Sequence, residues 1–157
     1  MNRNDVQNLR FWLLVQLASS WSMVGLVWFV QLVHYPLMRL VQESRFVEYE
    51  SLHRQQISFI VGPCMLAQLG SAIFISMRRM KYPWCWICNV GIILVIWVST
   101  FTVQVPLHDI LNRGFDENTH AQLVHSNWLR TILWTVQAFL VTGLVYQFST
   151  VNNAESE

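Results

Sequence analysis

Four stretches of the chain, residues 11–33, 57–77, 83–105 and 129–148, each run to about twenty residues with almost no charge. At about 1.5 Å of rise per residue, a helix of that length spans the roughly 30 Å hydrocarbon core of a bilayer. Only the last stretch holds a charge, Arg130, at its edge, where a long side chain reaches the interface. A water-soluble bundle shows a polar face on each helix, and these stretches show none. Trp12, Trp28, Trp84, Trp86 and Trp128 sit near their ends, where amphipathic rings favour the interface. With 54% hydrophobic and 12% charged residues, the chain has about half the charge of a soluble domain. The expectation is an all-α integral membrane four-helix bundle, one domain over residues 1–157, built from two related helical hairpins. A net charge of +1 offers no basis for nucleic-acid binding.

Four crossings put both termini and the middle connection on one face. That face carries Arg3, Arg10, Arg78, Arg79 and Lys81; the other carries Arg39, Arg45, Arg54, Arg113 and Arg130. The short "MRRMK" connection breaks the tie, because cations packed beside the membrane weigh most in the positive-inside bias. The opposite arginines are mixed with Glu43, Glu48, Glu50, Asp109, Asp116 and Glu117. The expected location is a bacterial inner membrane, multi-pass, with both termini cytoplasmic. The first apolar stretch is longer than a signal-peptide core and no A-x-A-like site follows, so it is read as retained. In either orientation His34, His53, His108, His120 and His125 share the face away from the termini.

The connections on that face repeat a design. "QLVHYPLMRLVQESRFVEYESLHRQQ" and "TVQVPLHDILNRGFDENTHAQLVHSN" align on their prolines, so that His34 meets Gln104, Pro36 meets Pro106 and Leu37 meets Leu107. With two residues of difference in length, His53 then meets His125. Proline lacks an N–H and disfavours helix before it, so each X-Pro is expected to end or bend a span near the interface. A pseudo-twofold arrangement would gather His34, Gln104, His53 and His125 at one mouth, with His108 beside them.

Imidazoles so placed are candidate ligands for iron or copper. Glu50 precedes His53 by three residues, and Glu117 precedes His120 likewise, a spacing that shares a helix face and occurs in carboxylate-bridged di-iron bundles. The plainer alternative is interfacial histidines bonded to helix ends and lipid headgroups. Gln16, Gln68, Asn89 and Gln137, inside the spans, read as hydrogen-bonding glue between helices. Pro63 is expected to kink the second span. Cys85 and Cys88 form a C-x-x-C pair whose plainer reading is packing. Arg130 has two readings, snorkelling or an ionic partnership with Glu50, Asp109 or an anionic ligand.

Pro36, Pro106 with the Pro-Leu-x-x-x-Leu-Asn stretch ending at Asn112, and Trp128 with Arg130 carry a resemblance to the anthrone-oxygenase-like family of small membrane proteins. The resemblance implies a four-helix membrane bundle and, from some members, oxidation of a lipophilic aromatic substrate. The histidine content departs from the family pattern.

These readings predict a membrane oxidoreductase acting on a lipophilic small molecule that enters from the bilayer. His34, His53, His108 and His125 would hold a transition metal, iron or copper, with Gln104 as a cofactor contact. Glu50 would serve as carboxylate or base, and Arg130 would orient an anionic or quinone-like group. One alternative is a b-type haem electron carrier with a histidine pair as axial ligands. Another is a non-catalytic accessory subunit, with a homo-oligomer or a membrane partner subunit at the polar face.

Overall fold

The computed structural model describes residues 3–78 and 80–154, so Arg79, one of the orienting cations, lies outside it. Helix α1 (Arg3–Phe29) passes through a π-helical turn (Val30–His34) into α2 (Tyr35–Met38). Helix α3 is Glu43–Ser76. Helix α4 (Pro83–Ser99) passes through a second π-helical turn (Thr100–Gln104) into α5 (Val105–Leu111), and α6 is Glu117–Ala154. The described residues contain no strand. Four helical rods, Asn4–Met38, Glu43–Ser76, Pro83–Leu111 and Glu117–Thr150, are long and apolar enough to cross a membrane.

The rods outrun the apolar stretches. A 34-residue helix is about 50 Å long, so the charged turns at its ends extend past any hydrocarbon layer. The two long connections expected at the histidine end are therefore mostly helix.

The prolines do not end the rods. In both cases the preceding turn widens, so that Tyr35 N–H reaches the carbonyl of Val30, and Val105 N–H that of Thr100. An α-helical turn would drive the proline ring into the carbonyl four residues back; the wider turn relieves that clash and omits the missing donor. Tyr35 and Val105 keep helical dihedrals despite the usual bias of a residue before proline. The two hairpins thus share a π turn at the matched position, ending on His34 in one and Gln104 in the other.

The rods run up and down, so both termini share one end. Helix α1 packs on α3 and α6, and α4 packs on the same two, which makes a four-cornered bundle. Three apolar layers fill it. Leu9, Leu13, Ile75 and Trp86 lie towards the termini, Met23, Val27, Ile96 and Trp134 in the middle, and Tyr35, Met38, Phe46 and Leu123 at the histidine end. The polarity of the bundle is inverted: Gln16, Gln68, Asn89 and Gln137 are fully buried, while Leu14, Leu66, Val98 and Phe139 are more than half exposed.

The buried amides join all four long helices. Gln137 donates to Asn89 Oδ1 at 2.7 Å, Gln68 donates to Gln137 Oε1 at 3.1 Å, and Trp134 Nε1 donates to Gln68 Oε1 at 3.1 Å. Ser71 Oγ donates to Gln16 Oε1 at 2.5 Å. The reading of these residues as glue between helices agrees with these bonds. Gln68→Leu should cost about 2 kcal/mol, because it orphans the Trp134 donor and the Gln137 acceptor. Reversible unfolding in mixed micelles measures this, and a loss below the error of that assay would show that the network contributes little.

Helix α6 starts on a side-chain cap. The Asp116 carboxylate accepts from Thr119 N–H at 2.7 Å and Thr119 Oγ at 2.6 Å, and these bonds hold its pKa below the usual carboxylate value. The group therefore stabilises the fold above the ordinary carboxylate pKa, and that contribution fades as pH falls through the depressed folded value. Asp116→Asn should flatten stability against pH in this acidic window, as read from melting temperatures. Gly114, at φ 150°, makes the turn just before this cap.

Candidate functional site

At the histidine end the bundle encloses a cavity of about 350 Å³. Its apolar part is lined by Leu26, Val27, Val61 and Met65; its polar end by Tyr35, His53, Gln104, His108, Asn127 and Arg130. The middle core layer forms its floor, with Trp134 beneath Arg130.

Glu50 is fully buried on α3, and its Oε1 lies 2.5 Å from Nδ1 of His108 on α5. The carboxylate stands behind His108 and does not line the cavity, whereas His108 does. Glu50 can therefore orient His108 and hold charge against it, but it touches a ligand only through that ring. Its second oxygen is buried without a partner.

His34 and His53 stack, with ring centroids 3.9 Å apart and planes 20° from parallel. The Tyr49 hydroxyl and His34 Nδ1 share a hydrogen bond of 3.3 Å. His53 sits 5.9 Å from His108, centroid to centroid. His120 is buried elsewhere at this end, where its Nε2–H donates to the Tyr35 carbonyl at 3.0 Å. A carbonyl only accepts, so that bond fixes where the His120 proton sits.

Arg130 is 8% exposed and meets no carboxylate within ion-pair distance among the described residues. It donates to Asn127 Oδ1 at 3.2 Å, lies 5.0 Å above the Trp134 ring, and leaves Nε without a partner. Asn127 in turn donates to Gln31 Oε1 in the first π turn at 2.8 Å. The two carboxylates expected as partners are engaged elsewhere, Glu50 by His108 and Asp109 by Arg54 at 2.5 Å. Arg130 does not snorkel: it is buried in the bundle and faces the cavity.

His53, His108, Gln104 and Arg130 thus line one space, with Glu50 against His108 and His34 against His53 one side chain behind it. His125 does not. It is exposed on α6 and lines a smaller depression of about 270 Å³ between α6 and α2, with Pro36 and Ala121. The proline-aligned repeat pairs His53 with His125; α3 and α6 both line the cavity, but His53 faces it and His125 stands exposed on another side of α6. His53→Ala should disturb whatever the cavity holds, and His125→Ala should leave ligand content and melting temperature unchanged. Equal damage from both, measured on purified protein, would contradict this asymmetry. The second E-x-x-H spacing also separates, because Glu117 points outward to Arg39 at 3.7 Å while His120 is buried. Cys85 and Cys88 are both free thiols, Cys85 half-buried and Cys88 exposed.

These donors do not form the expected metal centre. Among the described residues no group of three or more His, Cys, Asp or Glu is placed to hold a metal ion. Stacked imidazoles keep their in-plane lone pairs in nearly parallel planes, one ring above the other, so His34 and His53 do not converge on one ion. Their ring contact also leaves no room for a haem between them.

Tyr35, Tyr49 and Asn127 belong to the site without having been singled out by residue pattern. Asn127 was the most readable, since it stands three residues before Arg130 on one helix face. Tyr35 offered only its place between His34 and Pro36. No protein-family model, curated protein or solved structure matches this chain.

Proposed function

We propose that the chain is an integral membrane oxidoreductase whose cavity binds a lipophilic molecule with an acidic oxygen or carbonyl head. The observation that carries this reading is Arg130, a buried guanidinium with no carboxylate partner among the described residues, set in the wall of a largely apolar cavity. A buried charge without compensation is expensive, and a ligand oxyanion supplies what the fold omits. Membrane integration rests on the inverted polarity of the bundle, apolar outside and amide-rich inside. Arg10, Arg78 and Lys81 at the terminal end support cytoplasmic termini, with the cavity towards the opposite face. The shared π turns support two hairpins of one design.

In this reading His108, backed by Glu50, takes a proton from an enolisable or phenolic substrate, and Arg130 stabilises the resulting oxyanion. Dissolved dioxygen is the oxidant: a CH2 flanking the ring system becomes C=O, and the second oxygen atom leaves as water. The resemblance to the anthrone-oxygenase-like proteins supports this class of substrate.

The test is aerobic incubation of the protein in nanodiscs with polycyclic hydroxy-ketones, following dioxygen uptake and product mass. Uptake coupled to a product that has gained one oxygen and lost two hydrogens is expected. No uptake across such a panel would reject the oxidoreductase reading. Near-stoichiometric iron or copper, lost in His53→Ala and His108→Ala, would replace it with a metal-dependent one.

A further inference from the structure

The walls of the cavity differ in what lies behind them. On one side α1, α2 and α6 close it with Val27, Tyr35, Asn127 and Arg130, all buried. On the other it reaches the surface, where Ser58 of α3 is exposed, Phe101 is 57% exposed and Val105 is 36% exposed. These three residues belong to the apolar stretches 57–77 and 83–105 and stand away from the hairpin tips. At the tip end α3 and α5 are tied by the Arg54–Asp109 ion pair, and α3 is tied to the first π turn by the His34–His53 stack.

We infer that the ligand is a membrane-dissolved amphiphile that enters sideways from lipid, between α3 and the second π turn, past Gly62. It settles with its acidic head at Arg130 and its apolar body along Val61 and Met65. This rests on the binding reading above and adds the route and the residue that sets it. From Arg54 to Met65 the cavity follows α3 for about 16 Å, half the thickness of a hydrocarbon layer, so a bilayer solute meets the opening at its own depth. A water-borne solute would have to pass the ion pair and the stacked rings.

Gly62 lines this opening, and a Cβ built there meets nothing within 4 Å. A Cβ at 62 therefore costs the fold no clash, and a phenylalanine there stands at the passage it is meant to fill. Gly70 is the matched control: it lies on the same helix, it is exposed, a Cβ there also meets nothing within 4 Å, and it does not line the cavity.

The experiment uses the full chain in phosphatidylcholine nanodiscs with a palmitic acid carrying a mid-chain diazirine, and maps photo-crosslinks by mass spectrometry. Saturable labelling of segments 57–65 and 100–105 is expected, reduced about tenfold or more in Gly62→Phe and unchanged in Gly70→Phe. A hydroxynaphthoquinone competitor separates the two sources of an acidic head: displacement at lower concentration than unlabelled palmitate assigns an aromatic ligand, and the reverse assigns a fatty acid. Melting temperatures confirm that both variants fold. If Gly62→Phe labels like the parent while Arg130→Met does not label, the lateral route is wrong and the cavity reading stands. If neither variant changes labelling, both fall. Equal loss in Gly62→Phe and Gly70→Phe also overturns the route.

Discussion

Arg130→Met is expected to melt at a higher temperature than the parent protein and to lose its ligand. The two effects have one cause. Arg130 is 8% exposed, and among the described residues its Nε has no partner and its one hydrogen bond to a side chain is to Asn127. The fold therefore bears most of the desolvation cost of a guanidinium without an ion pair to offset it. Methionine retains the length and the contact with Trp134 without the charge, and should stabilise the unliganded protein by about 2 kcal/mol. Ligand affinity should fall on the order of a hundredfold, as for truncation of a buried charge that meets an opposite one. Arg130→Lys should recover part of the affinity, since it restores the charge but not the planar fork. The measurements are melting temperature with and without ligand, and equilibrium binding of a hydroxynaphthoquinone in nanodiscs. A destabilised Arg130→Met with unchanged binding would make the arginine a structural residue and remove the main support for the functional reading.

Glu50→Gln should leave the fold and ligand binding nearly intact and lower turnover by roughly a hundredfold or more. The amide has the shape of the carboxylate and still bonds His108 Nδ1, so the α3–α5 contact survives. What disappears is the negative charge behind the ring that receives the proton. Glu50 is a positioning residue here, because it reaches the ligand only through His108. Its loss should therefore also shift the pH profile of turnover, which a merely structural role would not do. Glu50→Ala is the contrasting variant: it leaves His108 without its partner in a buried site and should cost about 3 kcal/mol of stability. If Glu50→Gln turns over at the parental rate with an unmoved pH profile, proton transfer through His108 is wrong.

Some of this arrangement was legible in residue order alone. Charge-free stretches of hydrocarbon length set the number of rods, because a backbone in hydrocarbon must satisfy its own hydrogen bonds locally. Once up-and-down rods are assumed, the parity of four crossings puts every histidine at one end, and the rods show this. The amides Gln16, Gln68, Asn89 and Gln137 were readable as partners because each stands isolated among apolar neighbours. Arg130 was marked for the same reason, as a charge where charge is costly.

Which polar groups meet was decided by the tertiary structure. Convergence depends on the rotation of each helix about its axis, and one residue turns the facing side by about 100°. The two π turns each insert such a step, so a pattern read at 3.6 residues per turn is out of phase beyond Val30 and beyond Thr100. Hence Glu50 pairs with His108 across 58 positions, while its neighbour on the E-x-x-H spacing, His53, stacks on His34. The same physics separates His53 from His125: α3 and α6 both line the cavity, and the rotation of each rod turns His53 into it and leaves His125 exposed. Chain order alone determined four apolar rods with their polar chemistry at one end, since burial in hydrocarbon is a local demand on each segment. Packing alone decided that Arg130 would face an open cavity without a carboxylate, since side chains from separate helices meet only when the rods dock.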